Sequence, residues 1–198
     1  MSSIIGRAIT TLALAGALAG CGINSVPTAE ENAKARWADV QAAYQRRADL
    51  IPNLEAVAKG ASGSEKAILT EVIGARARAT SVQLNADELG DPAKMQAFQE
   101  AQASLSGPLS RLLVNVEAYP NLKSQDTFRD LLPQLEGTEN RINTAIQKYN
   151  SAVQDYNTTI RTFPDAIGAK IFHGAEPMQT YQAVTPGANV APKLDFGT

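Results

Sequence analysis

Tyr44-Gln45-Arg46-Arg47-Ala48-Asp49-Leu50-Ile51-Pro52-Asn53-Leu54 is the stretch on which the reading of the chain turns. It sits in an apolar pattern of helical period: Trp37, Val40, Tyr44, then Ile51, Leu54 and Ala58. The step from Tyr44 to Ile51 lacks one inward residue, and the position that supplies it is Arg47. A guanidinium on a buried stripe must find an acceptor, because an unpaired charge removed from water costs several kcal/mol or more (order of magnitude).

Outward from that stretch the chain reads as helices. Thr28 and Glu31 form a weak capping box for a first helix running to about Lys59, and Gly60-Ala61-Ser62-Gly63 stops it. Ser64 can cap a second helix, with Ile68, Val72, Ala75, Ala79 and Val82 inward, fraying near Gly90. Asp91-Pro92 restarts the chain as N-cap and first helical residue of a third. Its inward positions are Met95, Phe98, Gln102, Leu105, Leu109, Leu112, Val116 and Tyr119. Residues 120–124 turn the chain again.

The fourth helix is the most regular, with Phe128, Leu132, Leu135, Glu139, Ile142, Ile146, Tyr149, Val153, Tyr156, Ile160 and Phe163 alternating steps of four and three. Spacing sustained this long argues for a bundle seam. The fold class is therefore all-α, an antiparallel up-down four-helix bundle over residues 31–165. An irregular C-terminal tail follows over 166–198, with Phe172, Tyr181, Leu194 and Phe196 available to lay it on the bundle.

Each of two seams carries one charged residue, Arg47 and Glu139. If the loops at 60–63 and 120–124 cap the same end, both lie roughly 18–20 Å from it at about 1.5 Å per residue. Ala75 and Gly107 fall at the same depth and leave room. A structural buried Arg47–Glu139 ion pair is expected. Pro52 and Pro133 also lie level, and either kink their helices together or start separate helices after short breaks.

The N-terminus reads as an address. Residues 1–20 carry Arg7 and an apolar run from Ala8 to Leu18, too short for a spanning helix of about 20 apolar residues. Leu18-Ala19-Gly20-Cys21 resembles the lipobox of bacterial lipoproteins. That resemblance implies a cleaved signal peptide, lipidation of the Cys21 sulfur, acylation of the new terminus and anchoring to membrane lipid. The alternative is an uncleaved signal anchor with an incidental cysteine. Residues 21–30 would be the tether, with Gly22–Thr28 rich in turn formers. Gly22 stands where an aspartate would signal inner-membrane retention, which favours the periplasmic side of an outer membrane.

Composition narrows the rest. The formal net charge of -2 leaves no nucleic-acid footprint. With one histidine, His173, and one cysteine, Cys21, the chain cannot build a His/Cys metal cluster or a thiol–imidazole pair. Asp49, Glu117, Glu136 and Glu139 lack the histidines of di-metal bundles, and Arg46, Arg47 and Arg141 compete for them. No catalytic residue, cofactor or metal is expected. Asn150 and Asn157 either form an exposed polar edge or bond across helices, while Tyr44, Tyr149 and Tyr156 read as core.

Several segments together resemble the LemA family: Tyr44–Leu54, Glu117-Ala118-Tyr119-Pro120-Asn121-Leu122-Lys123, Leu135-Glu136-Gly137-Thr138-Glu139-Asn140-Arg141-Ile142, Tyr149-Asn150 with Tyr156-Asn157 before Phe163-Pro164, and Ala191-Pro192-Lys193-Leu194-Asp195-Phe196. The resemblance implies an elongated antiparallel helical bundle at a bacterial membrane, with no established enzymatic activity or ligand. Members often carry a transmembrane N-terminal helix, where this chain has the lipobox. The expectation is a non-enzymatic, lipid-anchored scaffold or adaptor for other envelope proteins. The alternative is a small-molecule or lipid carrier with an apolar pocket between helices.

Overall fold

The structure, a computed structural model, describes residues 2–61, 63–114 and 116–182, with side chains from residue 24 onward except that of residue 117. Among these residues every regular element is helical. The elements are α1 (Ser2–Leu50), α2 (Asn53–Gly60), α3 (Gly63–Ser81), α4 (Pro92–Val114), α5 (Pro120–Lys123), α6 (Asp126–Thr159) and α7 (Asp165–Gly168). Short 3-10 turns occupy Ala86–Glu88 and Val116–Ala118, and a π turn continues α7 over Ala169–His173. The chain divides into two compact units. Among the described residues, one comprises those within 2–44, 85–92 and 140–180, and the other those within 45–84, 93–139 and 181–182.

Boundaries depart from the sequence reading where local polar chemistry met packing. Gly22–Thr28, expected as a tether, is part of α1. Val26 is fully buried, and Thr28 does not cap a helix start but donates its hydroxyl back to the Asn24 carbonyl at 2.7 Å. Ser64 lies inside α3, which begins at Gly63, and α3 ends at Ser81, short of Gly90. The first expected helix breaks at Ile51-Pro52, so the separate-helix alternative describes Pro52, whereas Pro133 lies within the continuous α6.

The break at Pro52 has a specific chemistry. In an unbroken helix the amide of residue 52 would donate to the carbonyl of Ala48, and proline has no such hydrogen. Arg76 Nε, from α3, donates to that carbonyl instead, at 2.8 Å. A cation at the end of α1 also suits the negative pole of the helix. The chain re-forms helical bonds at once, Leu54 N to Ile51 O at 2.9 Å and Glu55 N to Pro52 O at 3.0 Å.

In the 45–139 unit the core is the apolar stripes of four elements plus two turns: Ile51, Leu54 and Val57; Leu69, Val72 and Ala75; Leu105, Leu109 and Leu112; Leu122; Phe128, Leu131 and Leu135. In the other unit α1 and α6 run antiparallel. Trp37 meets Tyr149 with ring centroids 5.0 Å apart, and Ser25 Oγ donates to Asp165 Oδ1 at 2.5 Å. Ile142, Tyr149, Val153 and Tyr156 are buried along the α6 stripe. The stripe stops early, because α6 ends at Thr159 and proline at 164 disfavours helix at the residue before it. Phe163 is accordingly 82% exposed.

The C-terminal segment is more ordered than an irregular tail through residue 182. Residues 165–173 are helical, and Gly174 ends them in a left-handed conformation (φ 55°, ψ 33°) that favours glycine. An extended strap follows. Tyr149 Oη donates to Gln179 O at 2.8 Å and Tyr156 Oη to Glu176 O at 3.0 Å. Asn157 holds Met178 at both ends, accepting its amide at 2.9 Å and donating to its carbonyl at 2.9 Å. Gln179 N donates to Leu89 O at 2.8 Å on the opposite side. Asn157 is thus a clamp rather than an exposed edge. Tyr181 is buried, Phe172 is 66% exposed and does not lay the strap down, and Leu194 and Phe196 lie outside the described residues.

Asn157→Ala should cost about 1–2 kcal/mol in urea unfolding, because two backbone groups lose their partner together. The Met178 amide should exchange slowly with deuterium in the parent and rapidly in the variant. Burial pushes the Tyr149 hydroxyl pKa up. The folded chain therefore holds that proton where the unfolded chain releases it, near pH ~10. Stability should fall as pH rises above that value, and Tyr149→Phe should flatten the alkaline limb measured by chemical denaturation.

Candidate functional site

Arg47 lies in the last turn of α1, in the gap of the apolar stripe, and is fully buried. Its Nη1 donates to Ser106 Oγ at 2.8 Å and to Glu139 Oε1 at 3.1 Å. Its Nη2 donates to Gln102 Oε1 at 3.0 Å and reaches the Gln102 carbonyl at 3.4 Å. The planar fork is thereby shared between α4 and α6. Gln102 extends the network to α3, its Nε2 donating to Ala79 O at 3.0 Å in the last turn of that helix.

The two charges differ in setting. Arg47's side chain is 1% exposed and Glu139's 28%, so the carboxylate keeps water on one side and does not lie in a dry centre. That lowers the desolvation cost of the pair. Ala75 is buried as expected. Gly107 is not the source of room, since a Cβ there would meet nothing within 4 Å, and the neighbouring Ser106 faces the guanidinium instead. Ser106 and Gln102 as partners of Arg47 escaped the sequence reading, although a glutamine on an apolar seam was a signal for one of them.

The other carboxylates are dispersed. Asp49 accepts from Gln45 Nε2 at 2.6 Å on the surface, Glu136 is exposed, as are Arg46 and Arg141, and the Glu117 side chain is outside the described set. Among the described residues no three of His, Cys, Asp and Glu are placed to hold a metal. Glu65 went unnoticed in the sequence. It is buried, and its Oε1 accepts from the amides of Asn121 at 3.0 Å and Leu122 at 3.4 Å, while Oε2 has no hydrogen-bond partner. It tethers the Tyr119-Pro120-Asn121-Leu122 turn to α3.

In the unit that contains the strap, a cleft of about 290 Å³ is lined by Glu30, Lys34, Asp87, Tyr156, His173 and Glu176, among others. Lys34 Nζ contacts Glu30 Oε1 at 2.9 Å and Asp87 Oδ1 at 3.2 Å. The bond to Glu30, then that to Asp87, raises the Lys34 pKa against the opposing effect of burial. The cleft's main polar groups therefore hold one another. His173 is exposed at its edge. Cys21 belongs to α1 by its backbone, and its side chain is outside the described set.

An all-helical protein with a buried arginine network and a strapped aromatic unit is the class these features define. A model described as the LemA family matches residues 36–196. The chain belongs to the LemA family. No curated protein matches it.

Replacing Arg47 by Ala should destabilise by about 3–5 kcal/mol, since it strands buried acceptors and opens a cavity. Glu139→Ala should cost less than half as much, because the carboxylate is partly hydrated and Arg47 keeps Ser106 and Gln102. Urea midpoints of the two variants give the order.

Proposed function

We propose that this LemA-family chain is a non-enzymatic lipoprotein of the bacterial envelope, anchored through acylated Cys21 and serving as a scaffold or adaptor for other envelope proteins. The observation that carries the reading is how the buried polar residues are used. Arg47, Gln102, Thr138 and Glu65 all bond within the fold, the last through one of its oxygens. Such groups set helix register rather than bind and transform a ligand. Function then falls to the surface. Among the described residues no helix is long and apolar enough to cross a membrane. Attachment at Cys21 rests on the lipobox resemblance. The lipobox resemblance supports cleavage before Cys21, Gly22 after it supports an outer-membrane location on the periplasmic side, and heptad spacing with the family match supports residues 31–165 as an up-down bundle.

The carrier alternative keeps one supporting feature, the cleft beside Lys34, whose charged rim suits a small polar molecule better than a lipid. Mass spectrometry of gently purified protein would reveal such a passenger.

The mature protein should carry acyl chains on its first residue, and cells fed an alkyne fatty acid should label the parent but not Cys21→Ser. Photo-crosslinkers at exposed positions 45, 46 and 49 should capture a defined envelope protein. An unacylated terminus would overturn the anchor, and absence of any reproducible adduct would overturn the scaffold.

A further inference from the structure

Four large apolar side chains stand in water within ten residues of one another: Phe163 (82% exposed), Ile167 (51%), Ile171 (69%) and Phe172 (66%). Solvent-facing apolar residues gathered this closely mark a surface that meets something apolar. Ile167 and Ile171 are four apart in the continuous helical turns of α7 and the π turn, so they share a face. Arg161, just before the group, and Lys170, within it, are both exposed.

The position of this segment names its partner. Ser25 donates to Asp165 at 2.5 Å, between Phe163 and Ile167 in the chain. Cys21 is four residues before Ser25 on the same helix, roughly 6 Å along its axis. Wherever acyl chains on Cys21 enter a bilayer, the 163–172 segment is held within a few residues' length of the headgroups. Aromatic and aliphatic tips with basic neighbours are the composition of a segment lying in that interface.

We propose that Phe163, Ile167, Ile171 and Phe172 form a second membrane contact, inserting into the headgroup boundary of an anionic bilayer beside the lipidated cysteine. This deepens the anchor reading and rests on it for the choice of lipid as the occupant. Insertion at two points, one covalent and one side-chain, removes the swivel that a single acylated residue allows, so the 140–180 unit meets the bilayer at a set angle. Arg161 and Lys170 favour anionic headgroups, with Asp165 engaged by Ser25.

The test uses the full-length protein purified from membranes and reconstituted in vesicles of phosphatidylethanolamine and phosphatidylglycerol with brominated acyl chains. Phe163→Trp and Phe172→Trp add a reporter over the constant background of buried Trp37. Gln147→Trp, at an exposed position 12 residues before the end of α6, is the control. The added emission at 163 and 172 should shift to the blue and lose intensity to bromolipid, while that at 147 does neither. Equal behaviour at all three positions would overturn the proposal. So would emission at 163 and 172 shielded from aqueous acrylamide yet untouched by bromolipid, which would assign the patch to a protein partner or a second copy. The mass of the N-terminal peptide reads the anchor separately. If Cys21 proves unmodified, quenching on vesicle addition still decides whether the patch enters lipid.

Discussion

A positive charge with no water around it is the constraint from which much of this structure follows. The Arg47 guanidinium carries donors and no acceptor, so its burial in the last turn of α1 obliges other elements to bring acceptors to it. α4 supplies Ser106 and both oxygens of Gln102, and α6 supplies Glu139. A shift of either helix by one residue would move those oxygens by about 1.5 Å along the axis and by some 100° around it, breaking the set. Apolar stripes tolerate such slips better, since one leucine replaces another. The arginine therefore contributes little net stability and much discrimination among packings. Glu139's partial exposure fits that role, because a half-hydrated carboxylate attracts without carrying the full cost of desolvation.

How much of this the sequence disclosed differs from residue to residue. Helical periodicity located the stripes of α4 and α6, since each inward residue repeats at a spacing set by local geometry alone. The same logic exposed Arg47 as an interruption and pointed to Glu139 across the chain. What periodicity does not encode is which donor satisfies a particular carbonyl. Pro52 and Pro133 look alike on the page, yet one breaks its helix and the other does not. Nor does the pattern show that the carbonyl freed at Ala48 is met by Arg76, from a helix distant in sequence. Gly107 was expected to leave room at that depth, yet it faces open space and the adjacent Ser106 meets the guanidinium, a one-residue difference that depth counted from the helix ends does not resolve. Glu65 was invisible because its partners are backbone amides more than fifty residues away.

The repeated pair Tyr149-Asn150 and Tyr156-Asn157 shows how a family motif acquires physical content. Spaced by seven, the two tyrosines bury their rings on one stripe of α6 and present their hydroxyls to one edge. That edge is where the strap from Gly174 to Gln179 runs, and its carbonyls accept the tyrosine hydroxyls in register. Asn157 adds both a donor and an acceptor, which lets it bind a main-chain segment as another strand would. The asparagine's amide geometry, and not its polarity, explains its place there. A long irregular segment thus becomes ordered without a hydrophobic core of its own.

The substitution of Arg76 Nε for the missing donor of Pro52 has an evolutionary corollary. The proline depends on the arginine more than the reverse: a proline alone would leave the Ala48 oxygen without that donor, whereas a carbonyl with two lone pairs can accept from an arginine and an amide together. Chains that restore an amide at position 52 should be free to lose the arginine at 76, and chains that keep the proline should not. A position in the break between α1 and α2 and one within α3 are in this way joined by a single carbonyl oxygen that belongs to neither of them.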